Sequence, residues 1–307
     1  MRLPRLKRAS ETHLPGFRLT PRDRAIIQAV YQFRLLSTPQ IEALFFASPG
    51  QLTAPSSTRC QHRLKLLYHY GFLERREQLV SLVEGRKSLV YFLAERGAEL
   101  AAEMQGIPLD RLDWRPSHNA VGQQHLEHLL ATNDVRIAIT LAAQLHSWLM
   151  PVWLDERVLK SYHAEDYVFI AGPRGGQRRV TVVPDGYFVL DVLKPKQGLF
   201  FLEVDRRTET VSSRTWSRRD WVRRTQAYLA YYQSGGFTKR YGAHNLRVLT
   251  VTTGERHLQS MKAAAERAGD SRIFWFSTFN QATDPNLVLT APIWQVAGQE
   301  GQYCLTD

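Results

Sequence analysis

Two cysteines in 307 residues, Cys60 and Cys304, stand far apart and in no metal-ligand spacing, so neither a disulfide framework nor a zinc site is expected. No apolar run approaches the roughly 20 residues that cross a bilayer. The basic start, Met1 to Ser10, is followed by no apolar signal core, and a cytoplasmic chain without membrane attachment is expected. No Lys-Ser or Lys-Thr follows Gly172-Pro173-Arg174-Gly175-Gly176, which makes that stretch a turn rather than a phosphate-binding loop. The lack of a His-x-His pair argues against a tyrosine-type relaxase, there is no internal repeat, and nothing implies an organic cofactor.

What is present is charge of one sign. Lysine and arginine number 40 against 29 acidic residues, a formal charge of +11. Residues 1–106 hold 16 basic and 9 acidic side chains, and the remainder 24 and 20, so the excess lies at the front. A polyanionic partner is the functional expectation, and a merely soluble basic protein the bland one. An anionic membrane surface is disfavoured because no long basic amphipathic helix occurs. With 44% hydrophobic residues, the chain has material for two globular domains.

Residues 1–19, basic, Pro-containing and aperiodic, read as a flexible arm. Thr20-Pro21-Arg22-Asp23 offers a cap, a proline in the first turn and a carboxylate three residues after the cap, and Ile26, Ile27, Val30 and Phe33 follow at helical spacing. Thr38-Pro39 repeats the device for a second short helix. A third, Ser57 to Tyr70, buries Cys60, Leu64, Leu67 and Tyr68, turns Arg59, His62, Arg63 and Lys65 outward, and ends at Gly71. Two strand-like runs, Phe72 to Val80 and Ser88 to Leu93, flank a turn carrying Arg86 and Lys87, and a helix over Ala94 to Met104 closes the unit. Three helices and a two-stranded ribbon are the order of a winged helix-turn-helix, whose third helix enters the major groove while the wing rests on the backbone. A linker is expected over 107–117, then a long helix from Asn119 to Trp148. Strands over 152–159, 179–183, 187–190, 199–204, 246–252 and 272–276 and helices over 218–232 and 255–268 then imply a mixed α/β domain filling 118–307.

The stretches Gly71-Phe72-Leu73-Glu74-Arg75, Tyr91 through Ala98, and His125-Leu126-Glu127-His128 through Asn133-Asp134-Val135-Arg136 resemble the replication-relaxation family of bacterial mobile elements. Pro184-Asp185-Gly186 followed by Phe201-Leu202-Glu203-Val204-Asp205 resembles the PD-(D/E)XK nuclease motif, with Asp185 in its first acidic position and Glu203 in its second. Glu203 and Asp205, two apart on one strand, share a face. Three convergent carboxylates, Asp185, Glu203 and Asp205, suit a hard cation such as Mg²⁺ or Mn²⁺ that polarises phosphate and activates water. The motif's third position, a lysine in the family, is Asp205 here. The nearest substitutes, Arg223 and Arg224, can contact phosphate but are poor proton acceptors. Lys194 and Lys196 lie in a loop expected to point away. The structural alternatives are a turn role for Asp185 and salt bridges of Glu203 and Asp205 with Arg206 and Arg207. His125 and His128 with Glu127 between them read first as a polar helix face, and Trp216 to Tyr232 as sheet packing before base stacking.

The expectation is therefore a winged-helix domain over 20–106 and a PD-(D/E)XK-like domain over 118–307. As the resemblance implies, the protein is a duplex-DNA-binding accessory of plasmid or mobile-element replication, relaxation or transfer. Replication or conjugation proteins and a second copy of the chain are open as partners. The alternatives are a Mg²⁺-dependent nicking endonuclease and a transcriptional regulator.

Overall fold

The computed structural model describes residues 7–9, 14, 16–47, 58–79, 87–162, 166–172, 175–193, 196–206, 221–269 and 271–306, the side chains of Leu193 and Lys196 excepted. Arg86, Lys194 and Arg207, singled out above, lie outside the described residues. The chain is mixed α/β and divides into two compact units, residues 1–137 and 138–307.

The first unit begins with α1 (Pro21–Phe33), β1 (Leu35–Ser37), α2 (Thr38–Phe45) and α3 (Thr58–His69), followed by β2 (Leu73–Arg76), β3 (Val90–Leu93) and α4 (Glu95–Gln105). Thr20 caps α1 as its sequence predicts: its Oγ1 accepts from the Asp23 N–H, and the Asp23 carboxylate accepts from the Thr20 N–H. The second cap is Ser37 rather than Thr38, with Gln40 closing the box. Strand β1 carries no alternation or turn residue to announce it, because all three of its residues are buried. It pairs with β3, which pairs with β2, giving an antiparallel sheet of order β1-β3-β2. Ile26, Ile27 and Val30 of α1, Cys60, Leu64 and Leu67 of α3 and Ala98 of α4 are buried within the unit. Burial pushes the Cys60 thiol up to about 12, with the Glu42 charge as a lesser cause, so it packs as an inert apolar group.

The expected arm is fastened where it is described. Arg8 donates to the carbonyls of Tyr68 and Leu73, and Phe17 stacks on Tyr70 with ring centroids 4.6 Å apart. Arg8 thereby adds a second donor to the Tyr68 carbonyl at the end of α3, which also accepts from the Gly71 N–H.

Residues 107–117, expected as a linker, belong to the first unit, and the division falls inside the long helix α5 (Gln123–Leu145). The early part of α5 is held to the first unit by apolar and polar contacts together. Leu126 and Leu130 join a buried cluster with Leu35, Val90 and Phe92. Asn133 Nδ2 donates to the carbonyls of Phe33 and Leu35 at 3.2 and 2.8 Å, and Arg136 donates to Gln32 O while lying 3.8 Å over the Phe33 ring. Polar residues of α5 thus donate to backbone carbonyls at the α1–β1 junction.

The second unit continues with β4 (Leu149–Asp155), α6 (Glu156–Tyr162), β5 (Tyr167–Ala171), β6 (Gln177–Thr181), β7 (Gly186–Leu193), β8 (Lys196–Asp205), α7 (Trp221–Gln233), α8 (Gly236–Tyr241), β9 (Leu246–Thr252), α9 (Glu255–Ala268), β10 (Phe274–Thr278), α10 (Phe279–Ala282) and β11 (Gln295–Val296). Its main sheet has the order β11-β10-β9-β8-β7-β4. Strands β8, β9 and β10 are parallel, joined through α7 and α9, whereas the other neighbours are antiparallel. Phe201, Val248, Phe274 and Phe276 form one core with Trp221 and Tyr228 of α7 and Leu258 and Met261 of α9, so both helices cover the same sheet face. Strands β5 and β6 form a separate antiparallel hairpin whose Val168 and Ile170 join that core.

Gly97 is the most closely approached of the described glycines. A Cβ there would stand 2.1 Å from the Phe72 carbonyl oxygen and 2.9 Å from Leu93 Cδ1. Gly97→Ala is expected to lower unfolding free energy in urea by about 1–3 kcal/mol. An unchanged midpoint would contradict the close approach of α4 to β2 and β3.

Candidate functional site

Register brings two of the three predicted acids together. Gly186 faces Leu202 across β7 and β8, so Asp185, one step before, stands beside Glu203, one step after. The Val204 N–H donates to Asp185 Oδ2 at 2.8 Å. Glu203 is 1% exposed and lies under α7, where Arg224 Nη1 donates to Oε2 and the Tyr228 hydroxyl to Oε1. Burial, and then the Glu203 charge, push the Tyr228 phenol well above its ordinary value despite the opposing Arg224 charge, so it remains a donor. Asp205 shares this sheet face but turns to α9, where His257 Nε2 lies 2.6 Å from Oδ2.

These donors do not fit a resident Mg²⁺ or Mn²⁺. Each oxygen of Glu203 has a hydrogen-bond donor, one oxygen of Asp185 is bonded to backbone, and Asp205 is drawn aside by His257. Among the described residues no group of three or more His, Cys, Asp or Glu is placed to hold a metal ion. His125 and His128 belong to no such group among the described residues either.

Above the cluster opens a cavity of about 450 Å³ between α6, β6 and α7, lined in part by Lys160, Arg178, Arg179, Arg223, Arg224 and Tyr228. Five of its lining side chains are cationic and one, Glu156, is acidic, the latter 2.8 Å from Lys160. The cavity therefore carries a positive field suited to an anion. Arg223 and Arg224, predicted phosphate contacts, both line it, with Arg224 shared with Glu203.

In the first unit, Arg59 and His62 are exposed on α3, three residues apart on one face. Lys65 is half-buried. Arg63 is turned inward: Nε donates to Asp23 Oδ1 at 2.9 Å, Nη2 reaches Oδ2, and the guanidinium lies 4.8 Å over the Phe17 ring. Lys87 sits 3.9 Å from Glu127.

Nothing in the sequence marked Lys160, Arg178 and Arg179 as one surface. Their convergence needs the β5–β6 hairpin, of which the sequence announced the turn, with Gly175 and Gly176 at positive φ, and part of β6, but not β5. His257 was equally invisible, since a helix brings it to Asp205 from 52 residues away.

A family model described as replication-relaxation matches residues 27–246, more than two thirds of the chain. No curated protein and no solved structure matches it.

Two outcomes are expected. Burial raises the Asp23 carboxyl, but hydrogen bonds from Arg63 and Thr20 and the Arg63 charge outweigh it and hold the group below its ordinary 3.8. Its contribution is then complete above that value and lost as pH falls through the lower folded value. Asp23→Asn should cost about 1–3 kcal/mol at neutral pH, and its deficit against the parent should shrink in urea titrations below pH 3.8. A deficit that is constant across pH contradicts the ion pair. Glu203→Ala leaves Arg224 and Tyr228 without their acceptor and is expected to cost about 3–5 kcal/mol, read by thermal unfolding; a neutral change contradicts the buried pairing.

Proposed function

Because the chain belongs to the replication-relaxation family, we propose that it is a DNA-binding accessory of plasmid or mobile-element replication or relaxation and that its first unit engages duplex as a winged helix. The supporting observation is the succession α1, β1, α2, α3, β2, β3 closed as a three-stranded antiparallel sheet, with Arg59 and His62 exposed on the third helix. In a winged helix that third helix reads the major groove and the β2–β3 connection meets the backbone. The family favours replication or relaxation over a transcriptional regulator. The second unit contributes cations rather than a hydrolytic centre: its acids are committed to Arg224, Tyr228, His257 and backbone, and the third motif position is Asp205 rather than lysine.

Arg59→Ala with His62→Ala is expected to weaken duplex binding, by about 1–3 kcal/mol for each base-edge hydrogen bond removed, without changing unfolding. Electrophoretic mobility shift with a duplex fragment measures this, and unchanged affinity removes α3 from the interface. Supercoiled plasmid incubated with the full chain and Mg²⁺ or Mn²⁺ should stay supercoiled. Nicking that disappears in Asp185→Ala would instead make the protein a metal-dependent endonuclease.

A further inference from the structure

The β5–β6 hairpin is attached to the second unit by one face only. Val168 and Ile170 point into the core, and their neighbours Tyr167 and Phe169, 43% and 56% exposed, point away. The two outer rings stand edge to face, with centroids 5.7 Å apart and an interplanar angle of 88°. Phe169 pairs across the hairpin with Arg179, whose guanidinium lies 3.8 Å over the Tyr167 ring. Two large aromatic rings left in water beside the cationic cavity call for a ligand with flat apolar faces and negative charge.

Hydrogen bonds anchor β5 at its root and close the hairpin near its far end. Asp166, at the root of β5, accepts from the Tyr231 hydroxyl at 3.0 Å and from Arg240 Nη2 at 2.9 Å, with Arg240 Nε on the same carboxylate. The far end closes through the Gly172 N–H to Gly176 O, 2.9 Å apart. Arg178 and Arg179 lie side by side on the strand that lines the same cavity as Lys160 and Arg223. Arg178 is in register with inward Ile170 and Arg179 with outward Phe169, so that Arg179 stands where the cavity meets the aromatic face.

We propose that this outer hairpin face and the adjoining cavity form a single-stranded DNA site, with Tyr167 and Phe169 stacking on bases and Lys160, Arg178, Arg179 and Arg223 holding phosphates. Stacking platforms beside a cationic groove are the physical basis of single-strand binding. The geometry disfavours duplex, whose bases follow every ~3.4 Å along each strand with their faces covered by neighbours. Rings 5.7 Å apart and nearly perpendicular can each take a base only if the bases are spread and turned. The inference rests on the nucleic-acid reading of the whole chain but assigns the two units different forms of DNA.

Fluorescence anisotropy of the full chain with labelled oligothymidylate, a labelled duplex and an oligouridylate of equal length tests it. Tyr167→Ala with Phe169→Ala should reduce affinity for oligothymidylate roughly 10- to 100-fold and leave duplex binding unchanged. Tyr167→Phe, which keeps a ring, should retain parental affinity. Arg178→Ala with Arg179→Ala should weaken oligothymidylate binding and flatten its salt dependence. Tyr167→Trp should lose indole fluorescence as oligothymidylate is added. Equal losses on duplex and single strand, no loss in the double aromatic variant, or tighter binding of oligouridylate than oligothymidylate would each overturn the assignment. If the parent binds duplex but no single strand, this inference fails alone. If it binds neither, the DNA-binding function fails with it.

Discussion

A carboxylate buried at 1% exposure has to be neutralised where it lies, and Glu203 imposes that requirement on the whole second unit. It sits on β8, the strand that joins the antiparallel and parallel halves of the sheet. Its two oxygens are met by Arg224 and Tyr228, one helical turn apart on α7. The pairing fixes the rotation of α7 on the sheet, which presents Ala227 and Trp221 to the core and Arg223 to the cavity. Substituting either partner exposes the cost of the other, so the acid, the tyrosine and the arginine act as one element.

The same logic governs charge in the first unit. A chain of net charge +11 invites the reading that every outward helix position is a phosphate contact. Many of its arginines are instead internal fasteners: Arg8 on the end of α3, Arg63 on Asp23, Arg96 on Tyr70 O and the Phe72 ring, and Arg136 on α1. Guanidinium suits this work because its planar fork can donate to carbonyls or carboxylates while its face covers an aromatic ring. Arg59 on α3 and Lys160, Arg178 and Arg179 beside the cavity of the second unit are among the exposed cations that remain for a polyanion.

Local signals carried much of the architecture. The Thr20 box, Gly71 after α3, the strand–helix alternation beyond residue 149 and the pairing of β7 with β8 all follow from caps, turns and apolar patterning. The juxtaposition of Asp185 with Glu203 was legible too, because a short hairpin sets its own register. What stayed hidden depends on distant chain segments. Arg63 has the helical position of a solvent-facing residue until Asp23 and Phe17 arrive beside it. The partners of Asn133 and Arg136 are carbonyls at the α1–β1 junction, far away in the sequence. The hairpin of β5 and β6 went unread on its first strand, whose alternation Tyr167-Val168-Phe169-Ile170 has aromatics on the outward side, where the usual expectation is polar residues.

The claim on which the account stands is that the chain neutralises DNA phosphates. It is tested most directly by the affinity of the full protein for a duplex fragment measured across a series of salt concentrations. Counterion release predicts a straight fall of log K with log salt, with a slope of about −0.9 for every phosphate neutralised, and several phosphates are expected to contribute. Absence of duplex binding at low salt, or an affinity indifferent to salt, would contradict it.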